Sequence, residues 1–183
     1  IASKLNDSPL ARWSAMAIVS FTMMCGYFVT DVMAPLESIL TATVQDGGLG
    51  WTGGEYGFFS GAYGYINVFL FMLFFGGIIL DKMGVRFTGV MSTSLMLVGC
   101  VMKWWAVNTD FGGATLWGYN EQVVMAALGF AIFGVGAEIT GITVTKVIAK
   151  WFDGHEMALA MGLQVAMARM GTAAALACSL PIV

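Results

Sequence analysis

The chain has 183 residues, 58% of them hydrophobic and only 10% charged, with a formal net charge of -3 and a mean hydropathy of +0.82. A soluble domain carries roughly a quarter charged residues, so this composition cannot cover a water-facing surface and a soluble globular domain is excluded. It is the composition of a chain that crosses the bilayer several times.

Crossing the hydrocarbon core takes about 20 apolar residues in a helix. Five stretches reach that length, at about 13–40, 57–80, 87–107, 122–149 and 157–180. The runs are continuous and lack the alternation of barrel strands. The expected fold class is therefore all-α, a polytopic transmembrane helical bundle with five spans. The first run is longer than a signal-peptide core of about 7–15 residues and reads as a retained span.

Loops one and three, "TATVQDGGLGWTGGEY" and "NTDFGGATLWGYNE", are glycine-rich and contain neither Lys nor Arg. Lys4 and Arg12 precede span one, Lys82 and Arg86 sit in loop two, and Lys146 and Lys150 flank loop four. The positive-inside rule then places the N-terminus and loops two and four in the cytoplasm. Trp13, Trp51, Trp104, Trp105, Trp117 and Trp151 all fall near span ends, where an interfacial belt is expected. Five spans from an inside start read as an incomplete bundle, so residues 1–183 are expected to be a partial N-terminal transmembrane domain.

Enzymatic chemistry finds no support. "GFFSG" at 57–61 superficially resembles a glycine-flanked serine nucleophile. The only histidine, His155, lies in cytoplasmic loop four, whereas Ser60 lies at the outer end of span two, so no Ser–His dyad forms. Cys25, Cys100 and Cys178 show no metal or redox spacing. No metal, cofactor or nucleic-acid partner is expected.

Charges inside spans each cost roughly 3 kcal/mol on insertion scales, so each needs a reason. Asp31, Glu37, Lys103, Glu138 and Arg169 are the candidates. Glu37 and Lys103 lie near outer helix ends, from which they snorkel to water. Glu138 precedes Lys150 by 12 residues and Arg169 follows Glu156 by 13. At about 1.5 Å per residue, both lie roughly 18–20 Å from loop four, near the midplane. Arg169 is thus expected to pair with Glu138 or with an anionic ligand. A purely structural pair is the competing reading, but buried pairs stabilise poorly against apolar replacements. Together the two charges suit a zwitterion, Arg169 taking a carboxylate bidentately and Glu138 an ammonium.

Asp31, in "YFVTDVMAPL", lies close to Pro35, which interrupts the helical ladder and frees carbonyls beside a cavity. It reads as a substrate-facing group or as a solvated vestibule residue. In "FFSGAYGYINVF", Tyr63 and Asn67 are four apart and share a face. They line a polar pathway or bond two helices together. Gly134, Gly136, Gly141, Gly162 and Gly171 allow close helix approach around the midplane charges.

The most specific motif is "GGIILDKMGVR", which reads Gly77-x-x-x-Asp81-Lys82-x-Gly84-x-Arg86. It resembles the loop signature of the major facilitator superfamily, in the loop after span two. The resemblance implies that Asp81 helps latch the two transporter halves in one state, with Lys82 and Arg86 in support. It also implies that a sixth span and a C-terminal half are missing from this sequence.

Three stretches, "YFVTDVMAPL", "YGYINVFLFMLFFGGIILDKMGVR" and "GVGAEITGITVTKVIAKWFDGHEMALAMGLQVAMARMG", are similar to the branch containing the lysosomal dipeptide uniporter and its bacterial relatives. In that branch a span-four glutamate and a span-five arginine are implicated in binding the termini of a dipeptide, which here fall on Glu138 and Arg169. Many family members carry an arginine four residues before the first glycine of "GVG". Here that residue is Phe130, which speaks for facilitated diffusion over proton antiport.

The resulting expectation is a membrane transporter of small solutes by alternating access, two six-helix halves rocking around a midplane site. The expected substrate bears a carboxylate, with dipeptides implied by the resemblance. A proton-coupled organic anion transporter, with Arg169 as anchor and Glu138 as proton carrier, is the alternative. A non-transporting membrane adaptor or receptor is the reading from a different class. A multi-pass protein of a plasma or bacterial inner membrane is expected ahead of a lysosomal one.

Overall fold

A computed structural model describes residues 7–182. Lys4, which entered the reading of orientation, lies outside the described residues. The helices are α1 (Pro9–Asp31), α2 (Glu37–Leu40), α3 (Gly53–Phe69), α4 (Met72–Asn108), α5 (Glu121–Trp151) and α6 (Met157–Ile182). Between α4 and α5 lies a two-residue antiparallel hairpin, β1 (Thr115–Leu116) and β2 (Tyr119–Asn120). Among the described residues that hairpin is the only strand pairing, and helices make up most of the rest, as the continuous apolar runs require. Among the described residues, four stretches are long and apolar enough to cross a membrane: Pro9–Leu40, Met72–Asn108, Glu121–Trp151 and Met157–Ser179.

The run expected as span two, 57–80, is carried by two helices. The first, α3, stops at Phe69, Phe71 takes a left-handed φ of 48°, and α4 begins at Met72. Neither glycine nor proline marks this break. The local disturbance that is visible is Asn67, whose Nδ2 donates to the Tyr63 carbonyl at 3.3 Å, a side-chain bond that competes with the helical ladder.

The second helix, α4, is itself two helices joined at Gly84, where φ is 82° and ψ 173°. Only glycine adopts that conformation without a Cβ penalty. The Thr88 hydroxyl donates to the Gly84 carbonyl at 2.9 Å, which ties the first turn after the corner back to it. The expected loop two is therefore a single-residue corner. Gly77, Asp81 and Lys82 belong to the helix before it and Arg86 to the first turn after it, with Asp81, Lys82 and Arg86 exposed.

The chain forms two compact units, Ile1–Pro35 with Gly141–Val183, and Leu36–Thr140. In the first, α1 and α6 run parallel: Arg12 meets Glu156, Met24 meets Gly171, and Asp31 meets Thr172. The core between them holds Met16, Met23, Val144, Ile148, Phe152, Ala160 and Ala168. Gly171 lies so close to the Met24 carbonyl that a Cβ would overlap it.

In the second unit, α3, α4 and the first part of α5 pack around Phe59, Ala62, Ala106, Val123, Ala126, Phe130, Phe133 and Ile139. The Thr140 hydroxyl donates to Ser92 Oγ at 2.9 Å across α5 and α4, a polar tie between helices of the kind lipid favours. Leu10, Ile18, Phe74, Leu97 and Trp104 are exposed, as helices in contact with acyl chains require and as soluble surfaces avoid. Trp104, Trp105 and Trp117 suit an interfacial belt. Trp51 does not: it is 2% exposed and packs edge-on against Phe59 at 5.5 Å.

Candidate functional site

The second unit brings together two of the residues singled out from the sequence. The Tyr63 hydroxyl of α3 donates to Glu138 Oε1 of α5 at 2.8 Å. Gly134, one turn before Glu138, makes this reach feasible. A Cβ there would collide with the Tyr63 carbonyl, so the absence of a side chain lets α3 approach α5. A carboxylate accepting from a hydroxyl in apolar surroundings makes a short, charge-assisted bond.

Asn67 continues the same face of α3. Its Nδ2 is committed to the Tyr63 carbonyl, while its buried Oδ1 has no hydrogen-bond partner among the described residues. Glu138 and Asn67 thus present acceptor oxygens suited to an ammonium or amide N–H donor.

Beside this pair lies an aromatic block. The Phe130 ring stacks on Phe59 at 5.2 Å and lies 5.6 Å from Tyr63 and 6.2 Å from Phe133. Above it sits Lys103, whose Nζ is 4.9 Å from the Phe130 centroid and 5.6 Å from that of Phe133. Lys103 is 7% exposed and its Nζ has no hydrogen-bond acceptor among the described residues. The expectation that it snorkels to water is therefore corrected. Gly129 lets the α4 backbone close in at Lys103, which turns the side chain onto ring faces that attract a cation.

In the first unit, the Thr172 hydroxyl donates to Asp31 Oδ2 at 2.7 Å. Thr172 follows Arg169 by three residues, hence on the same face of α6, and Arg169 is exposed. Asp31 belongs to this unit, as does Arg169, whereas Tyr63, Asn67 and Glu138 belong to the other. Near the start of α1, Arg12 is buried. It bonds Glu156 at 3.5 Å and lies 5.7 Å from the centroid of Phe152, against which Trp13 packs edge-on at 5.2 Å.

Loops one and three are knit together by polar bonds within the second unit. Thr52 and Glu55 form a reciprocal capping box at the start of α3, and Glu55 Oε1 also accepts from the Asn120 N–H at 3.0 Å. Burial pushes the Glu55 pKa up, but the Thr52 and Asn120 backbone bonds and the Thr52 hydroxyl outweigh it. The carboxyl is held below its ordinary value. Trp51 Nε1 donates to Gln122 Oε1 at 3.1 Å, and Gln122 Nε2 donates to the Val107 carbonyl at 3.1 Å.

Sequence reasoning names Lys103 but sends it to water, and it misses Thr172 altogether. Each carried a usable signal: Lys103 lies four residues beyond Gly99, at the period of a close-packed helix face, and Thr172 lies one turn beyond Arg169. Among the described residues, no cluster of His, Cys, Asp and Glu could hold a metal ion.

The model of the Major Facilitator Superfamily matches residues 9–180. Lysosomal dipeptide transporters MFSD1 of Bos taurus, Homo sapiens and Danio rerio are 30%, 29% and 31% identical over 111 residues. That stretch is 60% of this chain and 21% of each relative, so it spans about a fifth of the length of these curated relatives. No solved structure matches the chain. With a helical membrane fold, a glycine corner in the Gly77–Arg86 motif and a family match along almost its whole length, this chain belongs to the Major Facilitator Superfamily.

Proposed function

We propose that this chain forms part of a membrane transporter that carries small carboxylate-bearing solutes by alternating access, dipeptides foremost among them. The observation that carries the reading is the Tyr63–Glu138 hydrogen bond. A carboxylate at this depth of an apolar helix is costly, and intramembrane carboxylates mark substrate or ion pathways. The names of the MFSD1 relatives supply the substrate class.

In this reading Arg169 anchors the substrate carboxylate and Glu138 receives its ammonium. The equal depth of the two residues, counted along the sequence from loop four, supports that division. Tyr63 orients Glu138, Asn67 offers a further acceptor, and Asp31 lines the same pathway. Asp81, Lys82 and Arg86 act as a conformational latch at the Gly84 corner, where a backbone change at one residue would swing both flanking helices. The charge bias of the loops supports a multi-pass protein with a cytoplasmic N-terminus.

The test is uptake of a labelled dipeptide by the intact protein in liposomes, across imposed pH gradients. Saturable uptake that ignores the gradient and is lost in Arg169→Ala and Glu138→Gln is the expected result. Uptake that requires the gradient would instead favour the proton-coupled alternative, with Glu138 as proton carrier. Absence of dipeptide uptake, with binding of other carboxylates, would replace the substrate class.

A further inference from the structure

Asp31 closes α1, whose last turn contains no basic residue. A carboxylate at a helix C-terminus meets the negative end of the helix dipole, so it needs a partner from elsewhere. The partner it has is neutral: the Thr172 hydroxyl of α6 donates to Oδ2 at 2.7 Å. Oδ1 is left open, and Asp31 makes no ion pair among the described residues. Arg169, a cation in the same compact unit, makes none either and is exposed.

The two charges nevertheless stand close. Arg169 and Thr172 are three apart on α6, which sets their Cβ atoms about 5–6 Å apart. Adding the 2.7 Å hydroxyl bond puts the Asp31 carboxylate within about 10 Å of the Arg169 Cβ. Gly171, between them in sequence, lies so near the Met24 backbone that a Cβ would overlap it. At this level α1 and α6 therefore touch backbone to backbone, and the Thr172–Asp31 bond is held by the packing of both helices. A cation and a carboxylate one turn apart, not bonded to each other, form an open clamp.

We propose that this clamp reads an α-amino-acid end group, Arg169 taking its carboxylate and Asp31 the N–H on the same α-carbon, with Thr172 as the positioning residue that turns Asp31 toward it. The inference rests on the reading of Arg169 as carboxylate anchor and adds a substrate rule, that the carboxylate carried bears nitrogen on its α-carbon. In such a group the nitrogen lies about 2.5 Å from the carboxyl carbon. Donor and anion thus arrive as one rigid pair, matched to an acceptor and a cation one helical turn apart. The ammonium of a dipeptide stands a residue further off, which leaves it to Glu138. An ester of an α-hydroxy acid presents an oxygen lone pair where Asp31 requires a donor, and the carboxylate repels it. Hydrogen bonds to a charged acceptor are the stronger kind, so the distinction is large enough to measure.

The test compares alanyl-alanine with its ester analogue alanyl-lactate, which differ in N–H against O. Apparent affinities come from ligand-induced thermal stabilisation of the intact protein in detergent. Wild type is expected to favour the amide by about tenfold. Asp31→Ala and Thr172→Val are expected to bring the two ligands toward parity by weakening the amide alone, whereas Thr172→Ser keeps the preference. Arg169→Ala is expected to lose the response to both. Asp31 and Thr172 lie on different helices, so one variant carries the test if the other fails to fold.

Equal affinities in wild type would overturn the clamp, as would an amide preference that survives both variants. Equal weakening of amide and ester in the variants would leave the Thr172–Asp31 bond as packing and overturn the assignment. Absence of any response to either ligand in wild type would instead fail the carboxylate-anchor reading, and this inference with it.

Discussion

Tyr63 and Glu138, 75 positions apart in sequence, meet through a 2.8 Å hydrogen bond from hydroxyl to carboxylate. Removing the donor while keeping the ring isolates what that bond does. Tyr63→Phe is expected to destabilise the protein by about 1–3 kcal/mol, because Glu138 loses a partner in partly buried surroundings. Thermal unfolding in detergent reads the stability. Dipeptide stabilisation measured in the same samples is expected to weaken about tenfold, as a misoriented carboxylate receives the ammonium less well. Wild-type stability together with wild-type ligand response would show that the bond orients nothing.

Gly134 and Gly162 make a matched pair of opposite expectation. A Cβ on Gly134 collides with the Tyr63 carbonyl, while nothing lies within 4 Å of a Cβ on Gly162. Gly134→Val is expected to cost about 1–3 kcal/mol by forcing α3 from α5. Gly162→Ala is expected to be neutral or to stabilise by up to about 1 kcal/mol, since alanine favours a helix interior. Midpoint temperatures of the two variants, measured side by side, decide the point.

Arg12 and Glu156 differ sharply in exposure, with side chains 6% and 57% exposed. Truncating the two should therefore not be symmetric. Glu156→Gln removes a mostly solvated charge and is expected to cost no more than about 1 kcal/mol. Arg12→Ala also removes a buried side chain whose guanidinium lies over Phe152, with an expected cost of about 1.5–3 kcal/mol. Equal losses in chemical denaturation would contradict the packing role assigned to Arg12.

Glu55 carries the pH dependence. Its carboxyl is stabilised in the folded state, chiefly by backbone N–H groups that overcome its burial. A depressed pKa contributes stability that is complete above the ordinary glutamate range and is lost as pH falls through the folded-state value. Stability of wild type is expected to decline as pH falls through and below that range, and Glu55→Gln is expected to flatten that part of the curve. A parallel decline in the two proteins would assign it to other carboxylates.

The sequence made charge and hydropathy legible, and geometry much less so. Apolar runs located the helices because only a helix satisfies its own backbone in lipid. A reversal near Gly84 was legible because its glycine lies in a spaced motif, but its narrowing from a loop to one residue was not. The break at Phe71 was not, since no glycine or proline announces it. For Lys103, counting depth from a helix end gave height but not the face the side chain takes, and the face decided its burial. The Asp31–Thr172 bond was hidden for another reason. It joins the first and last long helices, and nothing local in either predicts that they are neighbours.

The interruption at Phe71 bears on how the polypeptide enters the bilayer during synthesis. The helix before it has 17 residues, about 26 Å of rise against a hydrocarbon core of about 30 Å. Released alone from the translocation machinery, that segment would be a poor stop. It becomes a competent insert once the apolar turns from Met72 to the glycine corner follow it, so the two must partition into lipid as one cooperative step. Glycosylation mapping of nascent chains ended shortly after Phe69 or after Gly84 would show that step as an abrupt gain of insertion between the two lengths.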